Sequence, residues 1–314
     1  MELRRFCSQS RVVIVAGKGG VGKTTVTATL ALAATRAGMS VLIAEVEGKS
    51  GLTAAFGAPA LTYDDAELAP AVRARTLSPD AALVDYLETH GMKRISRRLA
   101  HSGALDVVAT AVPGMKDILV LGKVKSLEQE RTADLIIVDA PAAGHAISFL
   151  LSARGLLDAV RVGPVRKQAT DVAAMLGDPA RCQVLLVTLP EETPVNELVD
   201  TAFAVEDRAG VALGPVIVNC CFEPEPELAG IATAGAAGLV GGASGLEADT
   251  ATAMRDAAEF RSQRAAMQTA QLERLATRLP LPQIRLPFLF TATIGPDELQ
   301  SLTDAFVDGV GALS

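Results

Sequence analysis

Six short segments rich in Val, Ile and Leu punctuate the chain: Val12–Ala16, Val41–Ala44, Leu135–Val138, Val184–Thr188, Val216–Asn219 and a more mixed one near Gln283–Leu286. Successive apolar residues place apolar side chains on both faces of a strand, which suits a sheet covered by helices on each side. Helical spacing fills the intervals, beginning with an alanine-rich stretch from about Gly22 to Ala37. This alternation predicts βα units and an α/β fold with a doubly wound, mainly parallel sheet.

Two intervals break the rhythm. About ninety residues between the second and third strands hold no comparable strand. Their periodicity is helical over Asp80–Thr89, Met92–Ala100, Leu105–Ala111 and Met115–Glu130, and Pro113-Gly114 marks a helix start. We expect a helical insertion over about residues 64–130, on the ligand-binding side of the sheet. The second interval begins at Phe222 and passes through a Pro/Glu stretch to Glu227 and an Ala/Gly stretch from Leu228 to Leu246. A long polar helix from about Ala251 to Arg278 closes it. Residues 1–314 are expected to form one domain, with an irregular segment and long helix over about 222–278.

Gly17-Lys18-Gly19-Gly20-Val21-Gly22-Lys23-Thr24 joins the first strand to the alanine-rich helix without a break. Strand, glycine-rich loop and helix in that order make a phosphate-binding loop. Glycines let backbone N–H groups approach an anion, and the helix N-terminus adds partial positive charge. Gly19, Gly20, Val21, Gly22 and Thr25 then belong to the cradle, Lys23 reaches the β- and γ-phosphates, and the Thr24 hydroxyl ligates Mg²⁺. Asp139 ends the strand Leu135–Val138. At the C-terminal edge of a parallel sheet its carboxylate faces the loop, where it is expected to hold Mg²⁺ through water. The implied ligands are ATP and Mg²⁺.

Composition narrows the partners. Hydrophobic residues make up 49% and charged ones 21%, as in a packed globule. A net charge of −7 argues against nucleic acid or an anionic membrane as a standing partner, leaving membrane contact indirect. Met1–Ser10 lacks the apolar core of a signal peptide, and Cys7, Cys182, Cys220 and Cys221 lack disulfide-framework or zinc spacing. A reducing cytoplasm is expected.

Several segments together carry a resemblance. Ala140-Pro141-Ala142-Ala143-Gly144-His145, after Asp139, resembles the switch II segment of the arsenite-pump and tail-anchored-protein-targeting ATPases, with Asp139, Gly144 and His145 matching in place. Pro113–Asp117 and Thr188–Pro194 resemble that family's Pro-Gly and Pro-Glu segments. Val216–Asn219 ends in the asparagine that hydrogen-bonds adenine there, and Leu286-Pro287-Phe288-Leu289 resembles its final strand and adenine-side loop. Lys18 matches the extra lysine of the family's deviant phosphate loops, which reaches the nucleotide of a facing subunit. The resemblance covers most of the chain, the bacterial anion-transporting branch included. It implies ATP hydrolysis, Gly144 in a phosphate-sensing switch, Asn219, Pro287 and Phe288 at the base, and pairing on ATP with a second copy or a homologous chain.

Two departures qualify it. The family's switch I aspartate, which positions the attacking water, aligns with Glu47 here, and Glu45 is the alternative. The extra methylene shifts the carboxylate by roughly an ångström, a misplacement that can cost on the order of a hundredfold in rate. Cys220-Cys221 is adjacent rather than spaced by two, a poor geometry for one tetrahedral zinc or a metalloid. Core packing is the simpler role for these thiols. His145 suits either a γ-phosphate sensor or a structural hydrogen bond. The stripe Ile95, Leu99, Leu105, Val108 and Val112 suits a client, a partner or the core.

Three functions remain. The first is a dimeric ATPase switch that captures and releases a client, such as a hydrophobic or membrane protein. The second is an energising subunit for anion or arsenite export, and the third a low-activity partner subunit that completes the site of a related chain.

Overall fold

The structure, a computed structural model, describes residues 1–46, 51–89, 114–141, 143–223, 225 and 248–313, with backbone alone for residues 143, 144 and 248. A short helix α1 (Leu3–Cys7) precedes β1 (Val12–Gly17), α2 (Lys23–Arg36), β2 (Val41–Val46) and α3 (Gly51–Phe56). Next come β3 (Ala66–Ala69), β4 (Val72–Leu77), α4 (Pro79–Thr89), α5 (Met115–Glu130) and β5 (Leu135–Asp139). The helices α6 (Ala143–Ala159) and α7 (Pro164–Leu176) lead to β6 (Cys182–Thr188), α8 (Glu192–Phe203), a π-helical turn (Ala204–Ala209), β7 (Ala212–Leu213) and β8 (Val216–Cys221). The long helix α9 (Ala248–Arg278), β9 (Gln283–Pro287) and α10 (Pro296–Gly311) complete the described chain.

The strands form one sheet in the order β3-β4-β2-β5-β1-β6-β8-β9, with the short β7 paired to β6. All pairings are parallel except β3 with β4. Successive residues of β1 feed opposite cores. Val12, Ile14 and Ala16 pack with residues of α5, α6, α7 and α8, while Val13 and Val15 pack with residues of α2 and α10. This two-sided burial is the physical source of the unbroken apolar runs. All six expected strands are present, extended by a residue or two at some ends.

The expectation of a strand-free stretch before α4 is overturned by β3 and β4. Their sequence alternates instead of running apolar: Val72, Ala74 and Leu77 are buried while Arg73, Arg75 and Thr76 are only partly covered. At the edge of a sheet one face is enough to bury, so the period-2 pattern carries the signal. Helix α4 and helix α5 lie where helical spacing placed them. The expected helices at 92–100 and 105–111, and the Ala/Gly stretch, lie outside the described residues.

Register between β2 and β5 is pinned at their starts. Asp134 Oδ2 accepts hydrogen bonds from the Ser40 backbone N–H at 2.8 Å and the Ser40 hydroxyl at 2.7 Å. That lock sets Val41 opposite Leu135 and, four residues on, Glu45 opposite Asp139. Among the described residues no helix is long and apolar enough to cross a membrane.

Candidate functional site

The loop between β1 and α2 is shaped by residues that cannot be exchanged freely. A Cβ on Gly17 would lie 2.4 Å from the Val187 carbonyl oxygen of neighbouring β6. Gly20 and Gly22 have φ of 85° and 92°, a region that side chains strain to adopt. Gly22 caps α2, whose first turn carries no acid. The positive end of that helix therefore faces the loop with no acid of its own first turn to neutralise it.

Lys23 is buried at the first position of α2, with Nζ donating to the Lys18 carbonyl oxygen at 3.0 Å. Beside it the Thr24 hydroxyl donates to Asp139 Oδ2 at 2.7 Å. Asp139 is 1% exposed at the C-terminal end of β5. A hydroxyl and a carboxylate so close form a pair of hard oxygen donors. They suit Mg²⁺, which usually takes only one or two protein ligands and fills its shell with water and substrate phosphates. Among the described residues no cluster of three His, Cys, Asp or Glu stands ready to hold a metal by itself.

Two further acids concern the site. Glu45 is 1% exposed on β2, in register with Asp139 on one side and Thr76 on the other, and it accepts from the Thr76 hydroxyl at 3.1 Å. Glu47, the residue aligned with the switch I acid, lies outside the described residues. Gly144 and His145 fall in the first turn of α6, where His145 is exposed.

The part of the candidate site expected to take the base is assembled from distant segments. A cavity of about 230 Å³ is bounded by Gly20, Gly22 and Thr25 of the loop and first turn, Asn219 and Cys220 of β8, Pro287 of β9, and Phe288, Leu289 and residues 291–294 after it. The β8–β9 register shifts between Val218 and Cys221, and Cys220 takes the left-handed φ of 58°. Such a bulge re-aims side chains. Asn219 is buried and donates Nδ2 to the Val21 carbonyl oxygen at 3.0 Å, fastening β8 to the phosphate loop. A Cβ on Gly22 would fall 2.2 Å from that same Nδ2. Phe288 stacks on Phe222, centroids 4.7 Å apart, and meets Phe290 edge-on. Arg261 of α9 sits over the rings of Phe222 and Phe290.

The two adjacent thiols diverge. Cys220 borders the base-side cavity, whereas Cys221 borders a separate one beside β9 and donates Sγ–H to the Val218 carbonyl oxygen. Burial pushes the Cys221 thiol up to about 12 and raises that of Cys220 as well. Both are thiols rather than thiolates near neutrality, and soft metalloid ligation needs the thiolate.

Of the expected site residues, the structure brings Lys23, Thr24 and Asp139 together and gathers Gly20, Gly22, Thr25, Asn219, Pro287 and Phe288 around one cavity. Lys18 is turned away, its ammonium 2.5 Å from Glu197 Oε1 of α8. Sequence reasoning passed over Glu197, Cys220 and residues 291–294 as site residues. Only proximity in the fold singles them out, since no motif spacing links them to the loop.

Residues 10–161 match the sequence pattern of the family described as "Anion-transporting ATPase". The chain is 35% identical over 223 residues to a Mycobacterium tuberculosis protein named ATPase BagA, covering 67% of this chain and 64% of that protein. It is 24% identical over 327 residues to a Halobacterium salinarum protein whose name provisionally describes an arsenical pump-driving ATPase, covering 96% of this chain and 46% of that one. A Schizosaccharomyces japonicus protein named ATPase get3 is 30% identical over 141 residues, 44% of this chain and 42% of the relative. The chain thus spans just under two thirds of its mycobacterial relatives and less than half of the other two. The phosphate loop and Asp139 both fall inside the matched stretch, and residues 10–161 carry the domain of the anion-transporting ATPase family.

Proposed function

We propose that this protein binds ATP with Mg²⁺ and hydrolyses its terminal phosphoanhydride, working as a dimeric switch that closes on ATP and opens after hydrolysis. The observation that carries the reading is the Thr24–Asp139 contact of 2.7 Å beside buried Lys23, at the mouth of a strained glycine loop. Lys23 faces the β- and γ-phosphates, and the loop and the α2 N-terminus bind the remaining phosphate oxygens. When bound, Mg²⁺ supplies charge neutralisation at the β- and γ-oxygens, held by Thr24 directly and by Asp139 through water. Gly144 belongs to the segment that senses the γ-phosphate. The base rests against Phe288 and Pro287. Asn219, its Nδ2 engaged by Val21, presents its carbonyl oxygen to the base.

Glu47 is the proposed carboxylate for the attacking water. Glu45 is the second choice, because it already accepts from Thr76 and shares a buried strand end with Asp139. Lys18 acts in trans, at the phosphates of a second copy or a homologous chain. Two cargo classes are proposed: an arsenical or other anion, after the pump-driving name of the Halobacterium relative, or a hydrophobic protein client, after the resemblance of residues 139–145 to the tail-anchored-protein-targeting ATPases. The divergent, protonated Cys220 and Cys221 favour the client over arsenite. The acidic net charge argues against a nucleic-acid partner, and free cysteines suit the cytoplasm.

The test is ATP turnover by the purified protein across protein concentration, with and without arsenite. Turnover that rises with concentration and ignores arsenite supports the switch reading. A concentration-independent rate rejects pairing, and stimulation by arsenite that disappears in Cys220→Ser/Cys221→Ser restores the export reading. No turnover until a homologous chain is added favours the partner-subunit role.

A further inference from the structure

Lys18 is held on its own chain. Its Nζ lies 2.5 Å from Glu197 Oε1, and the two side chains are 45% and 41% exposed. The other carboxylate oxygen of Glu197 is buried and has no hydrogen-bond partner. Loop and helix α8 close directly on each other here. The crevice between them, lined by Gly17, Val21, Pro194, Leu198 and Thr201, holds only about 10 Å³, too little for a ligand. Lys23 by contrast is tied to the Lys18 carbonyl, so backbone and side chain of Lys18 serve opposite directions.

We propose that Glu197 is a positioning residue that parks Lys18 against α8 and yields it only when a nucleotide-loaded second copy docks. The inference rests on the reading that Lys18 works in trans. The lysine stem is rooted in the loop, so an ammonium that crosses an interface must give up its contact with α8. A triphosphate outcompetes a single half-exposed carboxylate because it concentrates more negative charge at the same point. A nucleotide lacking the γ-phosphate offers less, and the ammonium returns to Glu197. The latch therefore opposes pairing unless a γ-phosphate is there to take the ammonium from Glu197.

Releasing one largely exposed ion pair is worth about threefold in an equilibrium constant. Two latches open per dimer, so removing the charge is expected to tighten pairing about tenfold. The experiment is sedimentation velocity of wild type, Glu197→Gln, Glu197→Asp, Lys18→Ala and Lys18→Ala/Glu197→Gln with MgCl₂ and ATPγS, and again with ADP. Expected results are about tenfold tighter pairing for Glu197→Gln with ATPγS, a smaller gain for Glu197→Asp, and a smaller effect of either substitution with ADP. In the Lys18→Ala background the Glu197 substitution should change nothing, since the coupling runs through that ammonium. Equal or weaker pairing of Glu197→Gln, while wild type still pairs on ATPγS, overturns the latch and leaves the trans lysine standing. An undiminished Glu197→Gln effect without Lys18 likewise overturns it. A wild type that stays monomeric with ATPγS rejects the dimer reading itself.

Discussion

The two ends of the candidate site are built by different physics. At the phosphate end, eight consecutive residues and one strand-end acid do the work, through two part-buried contacts: Lys23 to the Lys18 carbonyl, Thr24 to Asp139. At the base end, pieces from three distant stretches meet, and their aromatic surface stays open. Phe288 is 37% exposed and Phe290 73%. In the proposed complex the phosphate end binds a feature every nucleotide shares, so local backbone geometry suffices, whereas the proposed base end would recognise one ring among several, which needs side chains that only folding brings together. Asn219 is the joint between them, since it anchors the phosphate loop from the strand that also borders the base cavity.

The largest effect should come from breaking the phosphate end. Lys23→Ala removes the charge facing the β- and γ-phosphates and should lower ATP turnover on the order of a hundredfold or more. A malachite-green phosphate assay reads this out, and near-wild-type turnover would sink the ATPase reading. Gly22→Ala strikes the joint. Left-handed φ costs a side chain about 1–2 kcal/mol, and the added Cβ collides with Asn219. Fluorescent-nucleotide titration should show binding weakened roughly tenfold or more. A deoxyribose or ribose triphosphate with another base should suffer equally, because the damage is to the loop.

Phe288→Ala tests the base end alone. Loss of stacking and of the ring against the base is worth about 0.5–1.5 kcal/mol. ATP affinity by calorimetry should fall about three- to tenfold, while inorganic triphosphate affinity stays put. Equal losses for both ligands would mean that the two ends are not separable. The smallest effect concerns the frame beneath them. Hydrogen bonds from the Ser40 backbone and hydroxyl hold the Asp134 carboxyl below its ordinary range. Its folded value is depressed, so its stabilisation is present above about pH 4 and fades as pH falls through the folded value. Asp134 is mostly solvated, so Ser40→Ala should cost less than about 1 kcal/mol in urea unfolding at pH 7. The deficit should vanish at acid pH, and a pH-independent deficit would assign it to packing instead.

Most of the central sheet was legible because β1, β2, β5, β6 and β8 are covered on both faces and advertise it as apolar runs. The edge was not. β4 hides its core face behind alternate arginines, Arg73 and Arg75, which pair with Asp65 across the β3–β4 hairpin. A search for continuous apolar runs therefore passes over it. The glycine loop and the acid that ends the apolar strand β5 were legible, because each shows itself within a few consecutive residues. Glu197, by contrast, is 179 residues from Lys18 and belongs to no pattern.

Sequence by itself determined the parallel α/β architecture, the phosphate loop with its two lysines, the acid that faces it and the family of residues 10–161, because each depends on neighbours along the chain. Tertiary structure alone decided the direction in which Lys18 points, the bulge that turns Asn219 onto the loop, the parting of Cys220 from Cys221 and the pairing of Glu45 with Asp139. Those depend on register between strands, and register is set by locks such as Ser40–Asp134 that join residues 94 positions apart.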